Sequence, residues 1–203
     1  MPFGFGRKKD HAAEAIETVA PAASRTGPRT VGFIGYTEDW RLEGAMVLNG
    51  RLLDMLNKRD PIELEDVRWA PLDASGPLES APGIESLDPY DLIVVVAGGD
   101  TLPQGSDDER AAHRVHKVSF DVALEAPPFR IVGTIHLHPG SNPESLLERA
   151  SQMFAAVTDP TIGLGDQTVD LGQAKVVLVN RFYLRDVTQV DRATGQRHEF
   201  LPG

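Results

Sequence analysis

Two stretches of this chain, roughly 90 residues apart, carry one pattern, which restricts the fold to a pair of similar units or one unit with internal symmetry. The first runs Trp40-Arg41-Leu42-Glu43-Gly44-Ala45-Met46-Val47-Leu48 and the second Phe129-Arg130-Ile131-Val132-Gly133-Thr134-Ile135-His136-Leu137. Aligned on Gly44 and Gly133, they share an aromatic residue, an Arg, an aliphatic, the Gly and a Leu. Further along, Leu52-Leu53-Asp54 answers Leu146-Leu147-Glu148, and Leu64-Glu65-Asp66 answers Val157-Thr158-Asp159. Leu92 to Val96 is matched with Val176 to Val179, so order is kept throughout.

At 203 residues the chain has room for two small domains, each with a modest core. Five of its 20 basic and three of its 30 acidic residues fall in the first 30 positions. The remainder therefore holds 15 basic against 27 acidic residues, a surface that repels phosphate backbones and anionic headgroups. Nucleic acid is not expected as a partner. The absence of cysteine removes disulfides, thiolate metal sites and cysteine nucleophiles. Arg7, Lys8 and Lys9 lack the following apolar run of a signal peptide, and no segment is long and apolar enough for a membrane span. A cytoplasmic, soluble protein is the expectation.

Residues 1–29 read as a disordered tail, broken by Pro21, Gly27 and Pro28. Residues 30–103 form the first repeat. Val31 to Tyr36 and the Gly44 segment are strand-like, and Asn49-Gly50 marks a turn. Leu52, Met55 and Leu56 make one face of a short helix. Pro71 to Pro82 reads as a loop, and Leu92 to Ala97 as a continuous apolar strand ended by Gly98-Gly99. A polar hinge at 104–116 leads into the second repeat, 117–192, with a C-terminal tail at 193–203. There Val118, Phe120, Val122 and Leu124 alternate as a half-buried strand, and Phe129 to Leu137 forms the next. A helix with Leu146, Leu147 and Ala150 on its inner face follows. Met153 to Thr158 and Lys175 to Val179 are strands, and Asn180 to Leu184 makes one tight helical turn before Arg185 to Val190. Five short strands with a tight turn before the last describe an SH3-like or Sm-like small β-barrel. The expected architecture is mainly β: two such barrels in tandem, each with a short inserted helix. Gly44 and Gly133 are the structural residues, permitting the sharp bend of a strand that crosses a small barrel.

The run Phe129-Arg130-Ile131-Val132-Gly133, the strand Val157-Thr158-Asp159 and the strand end Val179-Asn180-Arg181 resemble a family of short bacterial proteins of uncharacterised function. Its members show an R-I-x-G strand, an R-L-x-D-x-L-N helix, and V-T-D and V-N-R strands. The helix pattern stands in the first repeat as Arg51-Leu52-Leu53-Asp54-Met55-Leu56-Asn57. Each repeat is a partial match, and the resemblance implies the fold without implying an activity.

Three constellations could carry chemistry. His136 and His138 share a strand face, and His113 and His116 lie a helical turn apart, so four imidazoles could bind a metal if they converged. No carboxylate stands at a motif spacing with them, and separate surface pairs are the commoner arrangement. Gly98-Gly99-Asp100-Thr101 after an apolar strand resembles the G-G-D-G-T turn of NAD and diacylglycerol kinases, but Thr101 replaces the second-last Gly and no phosphate loop accompanies it. Arg51, Asp54 and Asn57 lie along one helix flank, where they either cap neighbouring strands or meet a partner.

These readings favour a non-catalytic interaction or regulatory module with a protein partner or self-association, and no cofactor. The partner-binding candidates are Arg51, Asp54, Asn57, Arg130, Asn180 and Arg181. A nucleotide-handling enzyme built on the Gly-Gly-Asp turn is the first alternative, and a histidine-based metal-binding module the second.

Overall fold

The computed structural model describes residues 27–72, 76–101, 117–148 and 152–191. The first half of the described chain is strand β1 (Arg29–Tyr36), β2 (Trp40–Leu48), helix α1 (Leu52–Leu56), β3 (Ile62–Glu63), β4 (Glu65–Pro71), β5 (Glu79–Ser80), β6 (Ser86–Leu87), a 3-10 turn (Pro89–Asp91) and β7 (Val94–Ala97). The second half is β8 (Val118–Ala126), β9 (Phe129–Leu137), a 3-10 helix (Pro143–Leu147), β10 (Phe154–Leu164), β11 (Gln167–Thr168), β12 (Val176–Asn180) and β13 (Asp186–Gln189). The protein is mainly β, and among the described residues every strand pair is antiparallel.

The expectation of two closed barrels is corrected by the strand pairing. One sheet runs β13-β8-β9-β10-β12-β7-β1-β2-β4-β5, with β11 beside β10 and a separate β3-β6 pair, and its path does not close. The two halves keep one order within it: β7-β1-β2-β4-β5 in the first and β13-β8-β9-β10-β12 in the second. They join where β12 pairs with β7, from Val176 opposite Ala97 to Val179 opposite Val94.

That joint explains the uninterrupted apolar strands. Successive side chains of a strand point to opposite faces, and Val95 and Ala97 enter one core while Val94 and Val96 enter the other. Leu178 goes to the first core and Val177 and Val179 to the second. A strand covered on both faces has no polar side to alternate with. The joint also corrects the repeat alignment. β7 occupies in the first half the place that β13 occupies in the second, beside β1 and β8 respectively, so it is not the counterpart of β12. The 3-10 turn Pro89–Asp91 precedes β7 as the turn Asn180 to Leu184 precedes β13.

At the two glycines the halves share a close approach to a backbone carbonyl. A Cβ on Gly44 would lie 2.9 Å from the Glu65 carbonyl oxygen, and one on Gly133 would lie 3.0 Å from the Thr158 carbonyl oxygen and 2.5 Å from Val157 Cγ1. Beside each contact the register shifts, between Glu43 and Ala45 in β2 and between Thr158 and Thr161 in β10. The following residues, Asp66 (φ 52°) and Asp159 (φ 47°), both take the left-handed conformation that Asp tolerates better than most side chains. In both halves the chain passes so close over the glycine that only a hydrogen fits.

Several elements differ from their sequence expectations. The second inserted helix is a 3-10 turn, opened by Asn142, whose Oδ1 accepts the Glu144 N–H at 3.1 Å. β10 runs on to Leu164 because the left-handed Asp159 and the following Pro160, which lacks an N–H, form a bulge and pairing resumes beyond it. The loop from Pro71 contains β5. Arg29 opens β1 opposite Leu48. The tail to residue 26, the hinge at 104–116 and the tail at 193–203 lie outside the described residues.

Candidate functional site

The sequence candidates separate into structural ties and solvent-facing charges. Asn57, just beyond α1, uses its side-chain amide as a strand would. Its Oδ1 accepts the Phe154 N–H at 2.8 Å and its Nδ2 donates to the Phe154 carbonyl at 3.3 Å, binding the first half to β10. Arg51 and Asp54 stay well exposed, with Nε and Oδ2 3.9 Å apart, so the helix flank does not converge on one point. Arg130 pairs across the strands with Glu125 at 3.0 Å, and both are accessible.

Asn180 and Arg181 are interior residues. The Asn180 Nδ2 donates to the Leu92 carbonyl at 2.7 Å, and its Oδ1 accepts the Phe182 N–H at 3.0 Å. It is fully buried and locks the 3-10 turn before β7 onto the second half. Arg181 donates to the carbonyls of Leu146 (2.8 Å), Ser145 (2.8 Å), Gln152 (3.3 Å) and Glu148. Its guanidinium thus closes the end of the 3-10 helix Pro143–Leu147, and burial pulls its pKa below the usual arginine value against the opposing charge of Glu148. Every N–H in these contacts is already committed to backbone. Both residues are buried, and their hydrogen bonds tie backbone segments of the fold together.

The Gly-Gly-Asp turn is likewise stapled to its neighbours. Thr101 returns its N–H (3.0 Å) and hydroxyl (2.8 Å) to the Gly98 carbonyl. Asp100 Oδ2 accepts the Gly32 N–H of β1 at 3.0 Å, and its carbonyl accepts from Arg29 Nε at 3.2 Å. Asp100 still borders a shallow groove of about 670 Å3 shared with Glu43, Asp66 and Arg68, in which Glu43 and Arg68 pair at 2.9 Å. His136 bridges Ser119 Oγ (3.0 Å, through Nδ1) and Thr158 Oγ1 (3.1 Å, through Nε2) on the exposed face of β8, β9 and β10. His138 is exposed, and His113 and His116 lie outside the described residues. No group of three or more potential metal ligands forms among the described residues.

A different place gathers accessible aromatic surface. Trp40 opens β2 and Trp69 lies in β4, on the diagonal of the cross-strand pair Trp40–Pro71. Such neighbours reach one another across a sheet, and the indoles stack with centroids 4.4 Å apart at 18°. These are the two tryptophans of the chain. Trp69 packs on the first core, while Trp40 is 36% exposed. The turn that presents Trp40 is fixed on both sides: Thr37 N–H donates to the Trp40 carbonyl (2.9 Å), Trp40 N–H to Thr37 Oγ1 (3.1 Å), and Leu72 N–H to the Asp39 carbonyl (2.9 Å).

Around the indoles runs a shallow cleft of about 310 Å3, lined by the apolar Leu42, Ile84 and Leu87 and by Glu38, Asp39, Asp91 and Tyr183. It lies at the seam, since Tyr183 belongs to the turn before β13. The Tyr183 phenol is pushed above its ordinary value by burial first, then by the negative charges of Glu38 and Asp91. Next to this seam Tyr90 stacks on Phe182 at 5.7 Å, and the guanidinium carbon of Arg59 sits 5.6 Å from the Phe182 ring centre. The sequence reading used Trp40 only as a repeat marker. A usable signal was present: two tryptophans in one repeat, one of them preceded directly by Glu38-Asp39. What joins them to Asp91 and Tyr183 is tertiary. Comparisons with family models, curated proteins and solved structures find no match to this chain.

Proposed function

We propose that the protein is a non-catalytic interaction module that binds a segment of a partner protein in the Trp40–Trp69 cleft, on a frame of two SH3-like units fused edge to edge. The observation that carries the reading is the stacked, partly exposed indole pair held on a hydrogen-bonded turn beside a shallow cleft of mixed apolar and acidic lining. Tryptophan is among the residues that dominate interface energetics, because it buries much surface at small entropic cost. A side chain already fixed before binding loses little more freedom on contact. The fusion of two units is supported by the shared strand order of the halves and by the matching glycine contacts.

The nucleotide alternative draws less support, since one oxygen of Asp100 is taken by the Gly32 N–H and Thr101 closes the turn on itself. Selection of a randomised decapeptide library on the full chain tests the interaction reading. Enriched peptides are expected to shift the fluorescence of Trp40 and Trp69 and to lose at least about 10-fold in affinity for Trp40→Ala, the scale of a tryptophan hot spot. No enrichment, or binding unchanged in Trp40→Ala, defeats it.

A further inference from the structure

The cleft has a chemical preference as well as a shape, and this inference rests on the interaction reading above. We propose that it takes an arginine side chain of an extended, positively charged segment, with the guanidinium laid on the indole of Trp40 and met by the carboxylates of Glu38, Asp39 and Asp91. An indole face is electron-rich and is the best aromatic surface for a cation. A guanidinium is planar and weakly hydrated, so it stacks where an ammonium does not, and it keeps its N–H groups free for carboxylates at its edge.

Both halves of that requirement are on the same wall. Trp69 backs Trp40 at 4.4 Å, and Trp40 remains more than a third exposed. Three acidic residues line the cleft, and two of them act electrostatically on the Tyr183 phenol that lines it with them. The molecule already contains a filled version of this arrangement nearby. Tyr90 and Phe182 stack as a pair, and the chain's own Arg59 covers the Phe182 ring. At Trp40 and Trp69 the stacked pair is larger and is offered to solvent, with acidic residues around it. The excess of acidic over basic residues in the whole chain adds a long-range attraction for the same class of segment.

The test uses four capped decapeptides on the full chain, each alternating glycine with arginine, lysine, citrulline or glutamate. Their binding is read by the fluorescence of Trp40 and Trp69, which both report from the cleft. The arginine peptide is expected to bind about 10-fold more tightly than the citrulline peptide and severalfold more tightly than the equally charged lysine peptide. Its affinity should fall as salt is raised, and fall at least severalfold in the Glu38→Gln/Asp91→Asn double variant. Equal binding of arginine and citrulline, equal binding of arginine and lysine, or an unchanged affinity in the double variant overturns the proposal. If the library selection yields cleft-binding peptides that are neutral or acidic, this inference falls and the interaction reading stands. If no peptide of any charge binds, both fall together.

Discussion

Gly133 has no room for a methyl group. Its Cβ would meet Val157 Cγ1 at 2.5 Å, the Thr158 carbonyl at 3.0 Å and the Pro160 Cα at 3.3 Å, and Val157 is a stiff, fully buried β-branched side chain. At Gly44 the nearest atom is the Glu65 carbonyl at 2.9 Å, followed only at 3.5 Å by Val67. Both glycines therefore resist substitution, and the second resists more. Gly133→Val is expected to cost roughly 2–4 kcal/mol and Gly44→Val roughly 1–3 kcal/mol. Gly99→Ala, with nothing within 4 Å of its Cβ, is the control and should be close to neutral. Urea titrations of the three variants measure this; equal midpoints for Gly133→Val and the parent would show that the close approach does not exist.

Between elements, one polar side chain adds hydrogen bonds to the apolar packing of α1 on β10. Asn57 satisfies both the N–H and the carbonyl of Phe154 at the start of the strand, where Phe154 itself is fully buried. Asn57→Ala leaves that donor and acceptor without protein partners and is expected to destabilise by about 1–3 kcal/mol. Asn57→Asp retains the acceptor for the Phe154 N–H at 2.8 Å and turns a carboxylate oxygen toward the carbonyl, so it should lie no closer to the parent than Asn57→Gln does. Thermal melts of the three variants check the order, and a neutral Asn57→Ala would mean that water replaces the amide without loss.

Across the whole molecule, the β7-β12 joint binds the two cores into one sheet. Val94, Val95, Leu178 and Val179 are all at most 2% exposed, and each strand of the pair serves both cores. Unfolding either half exposes one face of both strands, so a single calorimetric transition is expected, with the calorimetric and van't Hoff enthalpies equal. Two resolved transitions would show the halves to be independent. Leu178→Ala, expected to cost about 2–5 kcal/mol, should lower that one transition without splitting it. The sequence determined the paired pattern and most of the short strands of each half, because these follow from local alternation. It misassigned β7 to β12, because an apolar run buried on both faces looks alike wherever it pairs. Nor did it show that Asn180 and Arg181 are buried against backbone carbonyls, because a polar residue at a strand end reads the same whether it meets solvent or the interior. Only the tertiary structure decided these, along with the cleft, since Trp40, Trp69, Asp91 and Tyr183 come from both halves and meet where the sheet is joined. Periodicity records which way a side chain faces, and it carries no information on what stands opposite.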